Sequence, residues 1–263
     1  MHKSTHGFEF WDNHKEQIVD LYINQNKSAN SIAKEFECDP STIIRQLKRW
    51  SIAIHKKRYN AKYTLDYNFF KNIDTEEKAY LVGLLLADGH ISKDDTIMLT
   101  LKDRDVVEKY RQAIKSNAPI RIDRYGNYKL NISCKQIAED LKRIGLNNRK
   151  SYSLDFDKVL SYIPKNIENH FVRGLFDGDG SIKIYKYDYI KKPQYHFGYT
   201  GLKEVVDYIK KYFDIRTKTV KESDITYTCV SSCKATIIHI YEILYNNATI
   251  YMDRKYKIFK QIV

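Results

Sequence analysis

Hydrophobic residues recur along this chain with two periods, and the changes of period mark out its elements. Residues 8 to about 25 read as a helix with Ile18, Leu21 and Tyr22 on one face. Ser28 is placed to cap a second helix that turns Ile32, Ala33 and Phe36 inward. After a turn at Glu37-Cys38-Asp39, Asp39 caps a third helix with Pro40 at its first position. On that helix Ile43, Leu47 and Trp50 repeat at i, i+4 and i+7, and Ser41, Thr42, Arg45, Gln46 and Arg49 are expected on the opposite side. The pattern lapses from Ser51 to Tyr67, where His55-Lys56-Lys57-Arg58 begins a basic stretch that reads as a linker.

Beyond the linker the order helix, two strands, helix, two strands, helix is predicted twice. In the first pass Asp74 with Glu77 forms a capping-box pattern ahead of an apolar helix. Alternation from His90 to Leu101 follows, with Ile97, Leu99 and Leu101 on one face. Next come a helix over Asp103–Ser116, a hairpin of Ile120–Tyr125 and Tyr128–Ser133 turning at Gly126-Asn127, and a helix over Lys135–Ile144. The second pass has strands at Ser181–Tyr187 and Gln194–Thr200, then a helix over Leu202–Phe213. Strands at Arg216–Lys221 and Ile225–Ser231 and a helix over Ala235–Tyr245 complete it. Ser133-Cys134-Lys135 recurs as Ser232-Cys233-Lys234, and Arg149-Lys150 is echoed by Arg254-Lys255. Such matched landmarks mark an internal repeat and predict pseudo-twofold symmetry within one chain.

The strongest correspondence lies between YLVGLLLADGHI (80–91) and FVRGLFDGDGSI (171–182). At a constant offset Gly83 pairs with Gly174, Leu84 with Leu175, Asp88 with Asp179, Gly89 with Gly180 and Ile91 with Ile182. Each run is expected to be a helix with a carboxylate in its last turn, ended by a glycine able to take the left-handed conformation. A glycine early in an apolar helix costs about 1 kcal/mol relative to alanine. Gly83 and Gly174 are therefore read as points of close helix–helix approach. Packing them together brings Asp88 and Asp179 to one end, where like charges and two helix dipoles disfavour them. Such a pair calls for raised pKa values or a divalent cation, and oxygen ligands suit magnesium.

These repeated segments resemble the signature of LAGLIDADG homing endonucleases in a chain carrying two motifs, and the likeness extends over about residues 70 to 263. It implies an α+β fold of two pseudo-symmetric αββαββα halves, forming a saddle that binds double-stranded DNA. It also implies that Asp88 and Asp179, with Gly89 and Gly180 beside them, hold two or three shared magnesium ions. Lys150 and Lys255 would act as catalytic lysines that stabilise transition-state charge or polarise the water network. The family often has a second acid two residues earlier; Asp177 fits, but Leu86 does not. The N-terminal helices resemble a helix-turn-helix, whose third helix would enter a major groove through Ser41, Thr42, Arg45, Gln46 and Arg49. The boundaries expected are 1–54 for this unit, 55–70 for the linker and 71–263 for the endonuclease domain, with halves at 71–160 and 161–263.

Composition agrees with an anionic partner: the 263 residues carry a formal net charge of +12, with 22 tyrosines, and an isoelectric point near 9.3. On the strands Lys93, Arg121, Arg124, Tyr128, Lys183, Tyr185, Lys186, Lys218 and Lys221 are the outward candidates for DNA contact. No stretch reaches the roughly 18 apolar residues of a membrane span. The four cysteines, Cys38, Cys134, Cys229 and Cys233, are not paired by spacing, and Cys229 with Cys233 would make half of a zinc site that no second pair completes. A monomer in the cytoplasm of a bacterial or phage-infected cell is the expectation. An intein is not expected, since neither an N-terminal Cys or Ser nor a terminal His-Asn is present. The activity implied is site-specific double-strand cleavage serving intron homing. The alternatives are a non-catalytic DNA-binding regulator on the same scaffold and a maturase acting on intron RNA.

Overall fold

The computed structural model describes residues 7–25, 27–52, 54, 63–147, 154–186 and 192–263. They fall into two compact units, Met1–Lys62 and Tyr63–Val263.

The first unit is helical: α1 (Phe8–Asn13), α2 (Lys15–Ile23), α3 (Ala29–Glu35) and α4 (Pro40–Arg49). The single helix expected over 8–25 divides at His14. Its Nδ1 lies 2.8 Å from the Phe10 carbonyl oxygen and its backbone leaves the helical region. Hydrophobic periodicity runs through that break and does not report it. Ser28 and Asp39 cap as expected, accepting from the N–H groups of Ser31 and Ser41. Trp11, Ile18, Leu21, Tyr22, Ile32, Ala33, Ile43 and Leu47 make the core of this unit.

The second unit begins at Tyr63, ahead of the boundary expected at 71. Tyr63, Leu65 and Tyr67 pack against the core, and Phe69 and Phe70 lie within it. Helix α5 (Glu76–Asp88) is capped by Thr75, whose hydroxyl accepts from Lys78 N–H, and not by Asp74. The Asp74 carboxylate instead binds Lys78 Nζ at 2.6 Å. Strands β1 (Gly89–Ile91) and β2 (Thr96–Leu101), helix α6 (Arg104–Ala113), strands β3 (Arg121–Ile122) and β4 (Tyr128–Ser133), and helix α7 (Lys135–Ile144) complete the first pass. A short helix α8 (Phe156–Ser161) leads to the second. That pass comprises α9 (Glu168–Asp179), β5 (Gly180–Tyr185), β6 (Gln194–Gly201), α10 (Lys203–Tyr212), β7 (Val220–Lys221), β8 (Tyr227–Ser231) and α11 (Lys234–Tyr245), followed by α12 (Asp253–Lys260).

Each pass forms one antiparallel four-stranded sheet, in the order β1-β2-β4-β3 and β5-β6-β8-β7. The matched order is the pseudo-twofold repeat that the matched landmarks predict. One face of each sheet is buried: Ile97, Leu99, Leu130 and Ile132 in the first, Ile182, Phe197, Tyr199 and Cys229 in the second. Helices α6 and α7 cover the first of these faces, α10 and α11 the second. The other faces are open, which is how an antiparallel sheet presents a working surface.

Helices α5 and α9 pack against each other along their length, and their glycines are the reason they can. A Cβ on Gly83 would stand 2.2 Å from the Phe171 carbonyl oxygen and 2.9 Å from Leu175 N. On Gly174 it would stand 2.0 Å from the Tyr80 carbonyl oxygen. Both obstacles are backbone and cannot rotate away. Gly89 and Gly180 end the helices differently from expectation. Both are extended, with φ of −76° and −82°, rather than left-handed. Glycine is needed there for room: a Cβ on Gly89 would meet the Leu85 carbonyl oxygen at 2.5 Å, and one on Gly180 the Phe176 ring at 2.1 Å.

Replacing Gly83 by alanine should therefore lower unfolding free energy by about 3 kcal/mol, the upper end for overpacking. Gly126→Ala is the control. Its φ is +80° with nothing within 4 Å of the added methyl, so only the backbone cost of about 1 kcal/mol applies. Denaturant titration followed by circular dichroism measures both, and a Gly83→Ala loss no larger than that of Gly126→Ala would refute the packing argument.

Candidate active site and nucleic-acid interface

Asp88 is the last residue of α5 and Asp179 the last of α9, so the glycine contact decides how far apart they stand. Asp88 Oδ2 lies 3.0 Å from the position a Cβ would take on Gly178, the residue preceding Asp179. The two carboxylates also act on the same groups. Both push up the pKa of the buried Tyr199 hydroxyl, after burial itself. Both favour the charged form of Lys255. The sequence reading placed these acids together at one end of a helix pair, and the structure brings them to one locus.

Below this locus lies a buried polar lattice. Asp177, fully buried, accepts from Tyr80 Oη at 2.9 Å, Tyr245 Oη at 3.1 Å and Met252 N at 2.7 Å. Burial raises its pKa on balance, while Lys255, the Met252 N–H, the Tyr80 hydroxyl and Arg173 pull it down. Arg173, also fully buried, donates to the carbonyls of Ile250 (2.8 Å) and Leu244 (2.7 Å) and to Glu76 Oε1 (2.7 Å). Burial works against the Glu76 charge, yet the Thr249 N–H, Arg173 and the Ile250 N–H hold its pKa below the usual value. The lattice ties α5, α9 and the segment after α11 into one block.

Lys255 is 3% exposed on α12. Its ammonium donates to the carbonyls of Phe176 (2.7 Å), Asp177 (2.7 Å) and Gly180 (2.6 Å), with Gly178 at 3.4 Å. These carbonyls flank Asp179 and include the last ones of α9, which lack partners inside the helix. A cation there also answers the helix dipole. Burial pushes its pKa down to about 8, against the pull of Asp177. The side chain for which the family likeness implies a catalytic role thus binds the backbone around Asp179. Its expected counterpart, Lys150, lies outside the described residues, as does the basic stretch from 55 to 62.

Strand register decides which candidates face the open side. On β3 and β4, Arg121 stands opposite Lys129, and Lys129 opposite Thr100 of β2. This row faces away from the helices. Tyr128 does not belong to it: it pairs with Leu101 and packs against the core, under the Arg104 guanidinium. Lys183 lies opposite His196, and Tyr185 opposite Gln194, on the open face of the second sheet. Lys221 pairs with Tyr227 and so takes the helix-facing register at the sheet edge, 3.9 Å from Asp224; Val220 holds the open position. Lys93 sits in the β1–β2 turn and Arg124 at the hairpin tip, over the Tyr125 ring. Lys186 follows β5 and Lys218 precedes β7, and all four are exposed. Choosing Tyr128 and Lys221 by residue type missed Thr100, Lys129, Met98, Asn131 and His196. The phase set by the buried Ile97, Leu99 and Leu130 would have found the first four.

In the helical unit Ser41 and Arg45 are exposed on α4, but Thr42 and Gln46 are buried, Gln46 to 1%. They sit one residue before Ile43 and Leu47, on a buried arc wider than the stripe that the i, i+4, i+7 pattern draws. Arg49 forms an ion pair with Asp12 of α1.

Comparison with known proteins agrees with this architecture. Residues 9–53 match the family model of the Clr5 domain. No curated protein matches the chain. Among solved structures it is similar to the LAGLIDADG homing endonuclease I-LtrWI bound to target DNA, with 15% identity and a TM-score of 0.52 over 71% of this chain and 89% of that one. A lysine-to-alanine variant of I-SmaMI gives 15% identity and 0.51 over 73% and 89%. I-SmaMI bound to uncleaveable DNA gives 13% and 0.51 over 72% and 90%. The second unit therefore has the two-sheet LAGLIDADG meganuclease fold.

The Lys255 site carries a pH signature. Its folded pKa near 8 lies below the 10.5 of an ordinary lysine, so the unfolded chain binds that proton more tightly. Stability contributed by this group then rises with pH, from about 8 upward towards 10.5. The buried Tyr80 and Tyr245, both raised, act oppositely above pH 10 but are common to wild type and Lys255→Met. The stability difference between wild type and Lys255→Met should grow in favour of wild type from pH 8 to 10. Parallel stability–pH curves would show that burial does not lower the Lys255 pKa in this place.

Proposed function

We propose that this chain is a site-specific endonuclease of double-stranded DNA that requires a divalent metal ion. The supporting observation is the convergence of Asp88 and Asp179 at the end of a helix pair held at backbone contact, in a unit with two open antiparallel sheets. A two-carboxylate donor set suits magnesium, which binds through one or two carboxylates and completes its shell with waters and substrate phosphate oxygens. When bound, the metal would supply Lewis acidity at the phosphate and a more acidic water. The chain itself contributes the placement of the two acids, the Lys255 charge beside them, and basic sheet surfaces for the phosphate backbone.

In this reading the open sheet faces lie in the major groove, which accepts an antiparallel ribbon. The helical unit adds a second contact through Ser41 and Arg45 on α4, in the manner of a recognition helix. Tethering two binding units raises apparent affinity through effective concentration. The regulator alternative draws support from Lys255, whose ammonium is engaged by carbonyls, and from Leu86, which stands where the second motif has Asp177.

A plasmid library of host genomic DNA, incubated with the purified chain in magnesium or in EDTA, separates these readings. Magnesium-dependent linear products are expected, and Asp88→Asn or Asp179→Asn should reduce the cutting rate on the order of a thousandfold while DNA binding persists. Sequence-specific binding with no metal-dependent cutting would assign the chain to the regulators. Cutting that survives both substitutions would remove these acids from the mechanism.

A further inference from the structure

The two sheets share strand order and register, so each residue on one open face has a counterpart on the other. Tyr128 pairs with Leu101 and Ile122 in the first sheet, and Tyr227 with Gly201 and Lys221 in the second. One step along the strands, the next cross-strand row is Thr100–Lys129–Arg121 in the first and Thr200–Thr228–Val220 in the second. Both rows face away from the helices, because the residues beside them, Leu101 and Leu130 in one and Tyr199 and Cys229 in the other, are buried.

The chemistry of these equivalent rows differs. The first ends in a guanidinium and an ammonium, and Arg121 makes no ion pair among the described residues. The second has no charge. The Thr200 and Thr228 hydroxyls engage each other at 2.7 Å, and Val220 is 52% exposed. An isopropyl group at a sheet edge does nothing for solubility. With the threonine hydroxyls mutually bonded, the row offers mainly methyl groups.

Base edges in the major groove discriminate between these surfaces. Guanine presents two acceptors, O6 and N7, which a guanidinium meets with two parallel bonds; thymine alone presents a methyl group. We propose that the Arg121 row reads a guanine in one half-site and that the Val220 row reads thymine methyls at the mirrored position of the other, so the chain's target is asymmetric there despite its symmetric scaffold. This rests on the reading of the open faces as a DNA interface.

The test selects binders for the full chain from duplexes with a randomised centre, in EDTA so that cutting does not deplete them. Wild type should enrich a sequence with guanine at one position and thymine at its mirror. Arg121→Val should erase the guanine preference and weaken binding to the guanine-bearing duplex by about tenfold or more, with little effect on duplexes altered there. Val220→Arg, at an exposed site, should shift the mirrored position from thymine towards guanine. Identical preference at the two mirrored positions, or a guanine preference that survives Arg121→Val, overturns the assignment while leaving the DNA-binding reading intact. Failure to enrich any sequence overturns both.

Discussion

Two backbones in direct contact set the conditions for everything else in the larger unit. At Gly83 and Gly174 the helices approach so closely that one methyl group would overlap a carbonyl oxygen of the partner. That distance cannot be relaxed at one end only, and the close approach continues to Ala87 and Gly178, so Asp88 and Asp179 are carried to the same place by the packing of the helices. The arrangement is electrostatically unfavourable: two anions share a locus at the negative ends of two dipoles. Apolar contact between α5 and α9 outweighs that repulsion.

Opposing charge is supplied asymmetrically. In the second motif Asp177 anchors the Tyr80 and Tyr245 hydroxyls and the Met252 N–H, and Lys255 binds the carbonyls on both sides of Asp179. In the first motif Leu86 replaces that acid. Burying Arg173, Asp177 and Lys255 costs several kcal/mol each before their hydrogen bonds are made. An apolar replacement would cost less, so these groups contribute specificity of geometry more than net stability. They hold α9 and its terminal carbonyl groups in one arrangement against α5 and α12.

Much of this was legible in the chain because repetition made weak signals agree. One Asp-Gly after an apolar run would say little; two such runs at a constant offset, with matching glycines, exposed the helix pair and its acids. What escaped depended on three-dimensional phase. Thr75 caps α5 in place of Asp74 because the helix starts one residue later than the capping-box spacing implied. Gly89 and Gly180 were needed for space at Leu85 and Phe176 rather than for a left-handed backbone, and no local pattern distinguishes the two needs. Thr42 and Gln46 look like surface residues by type, yet α4 buries a wider arc than its apolar stripe marks. The lattice of Glu76, Arg173, Tyr80 and Tyr245 was invisible because its members are far apart in sequence and meet only once the helices cross.

Symmetry and divergence then act on separate surfaces of the same sheets. The buried faces keep one solution, aliphatic and aromatic side chains under covering helices, because any change of volume there is felt as strain or cavity. The open faces carry no such constraint, and it is there that Arg121 and Val220 occupy one position with opposite character. A duplicated fold can in this way hold its two acids in a fixed relation while each sheet changes what it meets. The glycine contact makes that possible: because the helix pair sets the position of the acids, substitutions on the open strands leave the helix crossing and its acids where they are.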